Sequence, residues 1–293
     1  MTSFGAMLRR DLPPESLIDI ARAVAPIVDE LWIVEDLEWP GGVAQLAAVL
    51  EATNDDRSGR PVVGHGIAPA PFRNPAALAM EWATLARMYP GRLHGGIGHG
   101  LPPWMDQIGE KVASPLTLLR ETIEVTRLLL RGGPITYVGR YVNISDVTLV
   151  FPPTDVPPVL AGVTGPKSLE LGGMVADGTV LCEGHDLDQV AAAKARIAEG
   201  RTTPDAPDAH HFTLYVGYYL GDLGKLPPPP TDGPDGWAAV TDDPGHMVEM
   251  LQPYCDADID SLVLIPFGET IEQLNRFDTD VRPNLRLDRR GQG

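Results

Sequence analysis

Four short segments bring together residue types that do chemistry: Glu35-Asp36-Leu37-Glu38-Trp39, Gly64-His65-Gly66-Ile67-Ala68-Pro69, Gly95-Gly96-Ile97-Gly98-His99-Gly100 and Gly162-Val163-Thr164-Gly165-Pro166-Lys167. The first offers two adjacent carboxylates, which carry protons once burial shifts their pKa. Neighbours in an extended segment point opposite ways, so one of Glu35 and Asp36 is expected to face a ligand. The next two segments hold one histidine each, the side chain that titrates nearest neutral pH. His99 is the better placed; His65 reads equally well as a core or turn residue. Three of the four segments are glycine-rich, and glycine lets backbone approach a flat or phosphorylated ligand closely. Gly162–Lys167 also leads into a helix start, where free N–H groups favour an anion and Lys167 adds positive charge. Together they form a cradle for a planar ring with a phosphorylated chain, although each cluster alone also describes a tight strand-to-helix turn.

Each segment follows a short apolar run. Such runs occur at 3–8, 30–34, 61–64, 92–97, 158–161, 179–182, 212–220 and 261–265, and helix-patterned stretches separate them. The first of these helices opens at Pro13-Pro14-Glu15-Ser16 and keeps a 3.6-residue period through Leu17, Ile20, Ala21 and Val24. The others cover 43–51, 75–88, 115–130, 167–175, 187–199, 246–254 and 270–277. Ile135–Val150 alternates around Val138-Gly139-Arg140 and reads as a β-hairpin. Eight strand–helix units predict an α/β chain, a single (β/α)8 TIM-barrel domain over 1–293 with a small β-hairpin insertion after the fourth helix. A doubly wound open sheet would place a Gly-rich phosphate turn after the first strand, and Met7-Leu8-Arg9-Arg10 is not one. The Pro-rich stretch Leu226–Pro234 reads as a rim loop rather than a boundary. In such a barrel the ligand site lies at the C-terminal strand ends, which is where all four segments fall. His210-His211, at the start of the seventh strand, fall on the opposite, stabilising mouth.

With 293 residues and 43% hydrophobic content, the chain has enough material for one large core. A formal net charge of −17 repels phosphate backbones and anionic leaflets, so neither a nucleic acid nor a membrane is expected as partner. Two isolated cysteines, Cys182 and Cys255, make no disulfide framework and read as buried thiols. No apolar run nears the ~20 residues of a membrane span, and the first residues lack a signal-peptide layout, so a cytoplasmic location is expected. The strand ends carry no His-x-His pair, so no metal site is expected.

The ordered set of motifs resembles the luciferase-like monooxygenase family, and within it the F420-dependent oxidoreductases. The matching stretches are Leu31–Asp36, Gly66–Pro69 with Arg73-Asn74-Pro75, Leu85–Arg87 with Pro90–Arg92, Gly96–Gly100, Leu128–Gly132 with Val138–Tyr141, and Gly165–Lys167 with Ala176–Gly178. They run from about residue 3 to residue 266, nearly the whole chain. The resemblance implies a non-prolyl cis peptide at Gly66–Ile67 backing the cofactor ring. It implies that Gly96, Ile97, Gly98 and Gly100 line the ring and ribityl chain, and that Val163, Thr164, Gly165, Pro166 and Lys167 hold the cofactor phosphate. Alcohol dehydrogenases of the F420 group carry an Asp-His pair after the second strand, where this chain has Glu35-Asp36. The resemblance therefore implies a reductase that passes hydride from coenzyme F420 to a small organic substrate with an activated C=C, C=N or C=O bond. Glu35 or Asp36, with a pKa raised by burial beside the ring, and His99 are the candidate proton carriers. Trp39, Trp104 and Met105 are candidate pocket walls, and Arg9, Arg10, Arg73 and Lys167 are the cations available to a polyglutamylated tail. The alternative is an FMN-dependent monooxygenase fed by a partner reductase. The family further implies a homodimer.

Overall fold

Runs rich in branched and aromatic residues form the strands, and proline, glycine and short acidic caps set where each helix enters. The structure, a computed structural model, describes residues 2–55, 59–227 and 238–287. In chain order the elements are β1 (Ser3–Leu8), α1 (Leu17–Val24), β2 (Glu30–Ile33), α2 (Gly42–Ala52), β3 (Val62–Pro69), α3 (Pro75–Met88), β4 (Leu93–Gly98), α4 (Pro102–Ile108), α5 (Pro115–Arg131), β5 (Ile135–Val138), β6 (Asn143–Val147), β7 (Val159–Gly162), α6 (Pro166–Val175), β8 (Gly178–Leu181), α7 (Leu187–Gly200), β9 (His211–Leu220), β10 (Ala238–Thr241), α8 (Pro244–Asp256), β11 (Ser261–Pro266) and α9 (Thr270–Arg276). Helices α3, α5, α6 and α8 each start on a proline, whose missing N–H costs nothing in the first turn. Asn74 Oδ1 accepts from Ala76 N at 2.9 Å, and Asp186 with Gln189 forms a reciprocal capping box before α7.

Strands β1, β2, β3, β4, β7, β8, β9 and β11 pair in parallel and close, because β9 bonds both β8 and β11. The closed eight-stranded parallel barrel expected from the alternation is therefore present. Between strands and helices lies the larger apolar layer, with Phe4, Leu31, Leu50, Trp82, Leu129 and Phe277 fully buried. Inside the barrel a second cluster holds Met7, Trp32, Leu160, Val180, Tyr215 and Val263. Strands buried on both faces read as continuous apolar runs, which is why they stood out in the sequence.

Two elements did not. The short α4 follows the glycine-rich end of β4, in a stretch for which the sequence predicts neither helix nor strand. β10 pairs with Gly217–Leu220, the upper half of β9, where β8 has already ended after pairing with His211–Leu214. Of the Pro-rich stretch 226–234, only Leu226 and Pro227 fall within the described residues.

The hairpin insertion β5–β6 is antiparallel, as expected. It is pinned to α5 by Glu121, whose carboxylate accepts N–H bonds from Arg140, Tyr141 and Val142 at 2.7, 2.8 and 2.9 Å. Burial would raise the Glu121 pKa, yet these three donors bring it below the usual carboxylate range.

The N-terminal mouth carries a buried polar cluster. Glu30, 4% exposed, accepts from Trp32 Nε1 at 2.8 Å and from Ser261 Oγ, and His211 Nε2 lies 2.8 Å from the same hydroxyl. Burial raises the Glu30 pKa. Burial, with His211 beside it, pushes His94 down to about 3. Burial, with Arg201 beside it, brings His210, hydrogen-bonded to Thr179, to about 4. His210 and His211 are thus tied into the polar network of this mouth. A cavity of about 650 Å³ opens beside them, where Arg127 and Arg131 both turn to Asp177.

Candidate active site

The site is organised by a bulge in β3. Its ladder with β4 pairs His65 with Gly95 and then Ala68 with Ile97, so Gly66 and Ile67 together oppose Gly96. Two residues against one locally bend a strand and re-aim a side chain. The Gly66–Ile67 peptide is cis, as the resemblance implied. Ile67 stays partly exposed while His65, Gly66 and Ala68 are buried.

Three glycines make room for that one side chain. A Cβ on Gly96 would sit 2.9 Å from Ile67 Cγ2 and 2.6 Å from the His65 carbonyl oxygen. A Cβ on Gly98 would collide with Ile67 Cδ1 and lie 2.8 Å from the Gly162 carbonyl oxygen, and one on Gly162 would collide with Ile67 Cγ2. Glycines expected to face a ligand directly are thus packed by the Ile67 side chain instead. Below, Gly66 leaves space for the Tyr215 hydroxyl and the Trp32 ring, which pack edge to face at 5.7 Å. Ile97 and Val163 turn out differently: both side chains belong to the layer between strands and helices, so only their backbone can line the site.

The acidic pair is committed to arginines. Glu35, 5% exposed, receives two bonds from Arg73, Nη1 to Oε2 at 2.8 Å and Nη2 to Oε1 at 2.6 Å. The Gly42 N–H, at the start of α2, donates to Oε1 at 3.1 Å, and His65 Nε2 lies 3.4 Å from Oε2. Burial alone would raise the Glu35 pKa, but His65 and Arg73 outweigh it and hold the carboxyl at about 2. This corrects the expectation of a carboxyl raised by burial: desolvation is present, and charge-assisted bonds exceed it. Asp36 is paired with Arg10, which also lies 5.2 Å from the exposed Trp39 ring.

At the end of β4, His99 Nε2 lies 2.9 Å from Ser168 Oγ in the first turn of α6. Burial lowers the His99 pKa, and its Nδ1 faces the Pro115 backbone without a hydrogen bond of good geometry. Helix α6 begins at Gly165-Pro166 with no side-chain cap, which leaves its positive end to another group. Of the four cations expected on this rim, Arg9 pairs with Asp11, Arg10 with Asp36 and Arg73 with Glu35. Lys167 is exposed and makes no ion pair among the described residues. Gly100 has φ +69° where the chain turns toward α4, and Met105 packs beneath it with Trp104 half-buried.

Both cysteines are free and partly buried; burial pushes Cys182 up to about 12 and Cys255 to about 11, so neither is a ready nucleophile. Among the described residues no cluster could hold a metal ion, and no helix is long and apolar enough to cross a membrane. What sequence reasoning missed is Ser168 and the partners of Glu35. Ser168 follows Lys167 directly, yet only the fold brings it to His99.

Comparison with known proteins adds three findings. The family model for luciferase-like monooxygenases matches residues 3–222. A 5,10-methylenetetrahydromethanopterin reductase from Methanolobus tindarius is 30% identical over 172 residues, 59% of this chain and 51% of that protein. The chain spans about half the length of the curated relatives it matches first. Among solved structures, the coenzyme F420-dependent tetrahydromethanopterin reductase from Methanopyrus kandleri superposes with a TM-score of 0.82 at 19% identity, covering 97% of this chain and 99% of that one. The oxygenating constituent of 3,6-diketocamphane monooxygenase from Pseudomonas putida, in complex with FMN, does so at 0.74 and 16%, covering 98% and 100%. At these identities the two structures speak for the fold alone.

Proposed function

Because the chain belongs to the luciferase-like monooxygenase family, we propose that it is an oxidoreductase that binds coenzyme F420 and works as a reductase on a small organic substrate with an activated C=C, C=N or C=O bond. The observation that carries this reading is the Ile67 platform, raised on the β3 bulge and seated between Gly96, Gly98 and Gly162. A flat tricyclic ring fits such an apolar, side-chain-poor surface, and the uncapped start of α6 suits the phosphate of its side chain. F420 in the names of relatives and structural neighbours supports the choice of cofactor.

When bound, the deazaflavin would supply or accept the hydride at its ring. Gly66 and Ile67 would back that ring, and the backbone of Gly96, Ile97, Gly98 and Gly100 would border it. Thr164, Gly165, Pro166 and Lys167, with the backbone of Val163, would hold the phosphate, assisted by the Ser168 hydroxyl that His99 orients. Of the candidate proton carriers, His99 would handle the accompanying proton; Asp36, ion-paired to Arg10 as Glu35 is to Arg73, would have to leave that pair first. Burial lowers the His99 pKa and so favours the neutral imidazole, the form that can accept a proton.

Titration of the purified protein with F420 and with FMN, followed by fluorescence quenching, tests the cofactor. Saturable binding of F420, and oxidation of reduced F420 by an enone or imine, is the expected result. Tight FMN binding with no response to F420 would overturn it in favour of the monooxygenase reading.

We also propose that the working unit is a homodimer. Met80 and Met88 on α3 are 60% and 59% exposed, and Phe151, 68% exposed, lies against Arg87 of the same helix, apolar surface that a second copy could cover. Sedimentation equilibrium should return twice the chain mass, and a monomer at assay concentrations would reject the dimer.

A further inference from the structure

Glu35 has a geometry that a proton carrier does not need. Its two oxygens receive both terminal nitrogens of Arg73, the Gly42 N–H and the approach of His65 Nε2. His65 and Arg73 are the first and last residues of one stretch, and between them lie the bulge at Gly66–Ile67 and a short 3-10 turn, Ala70–Phe72. We propose that Glu35 is a positioning residue, a clamp that holds both ends of the His65–Arg73 segment and thereby fixes Ile67 for the cofactor ring. The proposal rests on the cofactor reading above.

Three further observations favour a clamp. His65 is fully buried with its ring edge-on to Trp82 at 5.9 Å, so packing, together with the 3.4 Å approach of Nε2 to Glu35 rather than a formed hydrogen bond, holds the near end. Arg73 has a second carboxylate, Glu81, 3.8 Å from Nε on α3, which steers the far end toward Glu35. Gly42 seats α2 against the clamp, since a Cβ there would lie 2.8 Å from Glu35 Cβ and collide with His65 Nε2. Strand β2, the β3 bulge, α2 and the entry to α3 therefore meet at one carboxylate. Bidentate geometry restrains direction as well as distance, which a single Lys contact would not. A protonated Glu35 would lose an acceptor that Arg73 uses, so this geometry and a proton-donor role exclude each other. The low pKa of the group agrees with that choice.

The test uses Glu35→Gln, Arg73→Gln, the double variant, and Arg73→Lys, read in two ways. One is the dissociation constant of whichever cofactor binds the unaltered protein. The other, free of any ligand, is amide hydrogen exchange over residues 66–72 compared with β1 and β11. The clamp predicts that each single variant weakens cofactor binding at least about tenfold and speeds exchange over 66–72 by a similar factor, and that the double variant is within about twofold of either single one. Arg73→Lys should recover only part of both effects. A lost kcat with unchanged binding and exchange would overturn the clamp and return Glu35 to proton transfer. A lowered melting temperature with binding and exchange unchanged would reduce Glu35 to a stabilising ion pair and equally overturn it. If the unaltered protein binds neither cofactor, the functional reading fails, and the exchange measurement still decides the clamp.

Discussion

Gly98→Ala is expected to cost about 2 kcal/mol of stability and to weaken cofactor binding at least about tenfold. The added methyl meets Ile67 Cδ1 on one side and lies 2.8 Å from the Gly162 carbonyl oxygen on the other. Retreat of the backbone is blocked, because Gly98 and Gly162 are ladder partners in the β4–β7 pair. The side chain that can yield is Ile67, which is only partly buried and would turn toward the cofactor's space. Gly162→Ala should act alike, since its Cβ meets Ile67 Cγ2. A companion variant separates strain from binding. In Gly98→Ala/Ile67→Ala the overpacking is relieved, so urea unfolding should return most of the lost stability, while the missing platform keeps binding weak. Wild-type affinity in Gly98→Ala would show that Ile67 does not back the cofactor.

The barrel was legible because its signal is local. Eight apolar runs alternate with helix-patterned stretches, and both faces of a barrel strand are buried, so the runs are unbroken. β10 was hidden because Ala238–Thr241 is short and pairs only where β8 has run out, a condition that depends on three strands at once. The same distinction separates what was read well at the site from what was not. Glycine clusters read as room for a ligand, whereas Gly96, Gly98 and Gly162 make room for the Ile67 side chain of β3, a contact made across strands. That one of Glu35 and Asp36 would be buried was expected, and Glu35 is 5% exposed. The expected rise in its pKa is reversed, because Arg73 stands 38 residues away and enters only through the return of α2 and β3. Of four rim cations, three are spent on carboxylates of this chain, a pairing that formal charge alone does not reveal.

Acid should expose that pairing as a loss of stability. His65 and Arg73 hold the folded Glu35 carboxyl at about 2, against an ordinary value of 4.5. A depressed folded pKa means that the folded state holds the group ionised, so its contribution is complete above pH 4.5 and vanishes as pH falls through 2. A shift of this size corresponds to about 3 kcal/mol at neutral pH. With its side chain only 6% exposed, solvent screening removes little of that. Urea unfolding at pH 7, 5, 4 and 3 should therefore fall more steeply for the unaltered protein than for Glu35→Gln. The variant starts lower, because Arg73 loses its ionic partner, and the two curves converge toward the acid end. Glu30 works in the opposite sense, since its raised pKa makes the folded state bind a proton more readily as pH drops. The difference between protein and variant cancels that background and isolates Glu35. Parallel curves down to pH 3 would mean that the carboxylate is not held by Arg73 and His65 in solution, and the geometry of the clamp would fall with it.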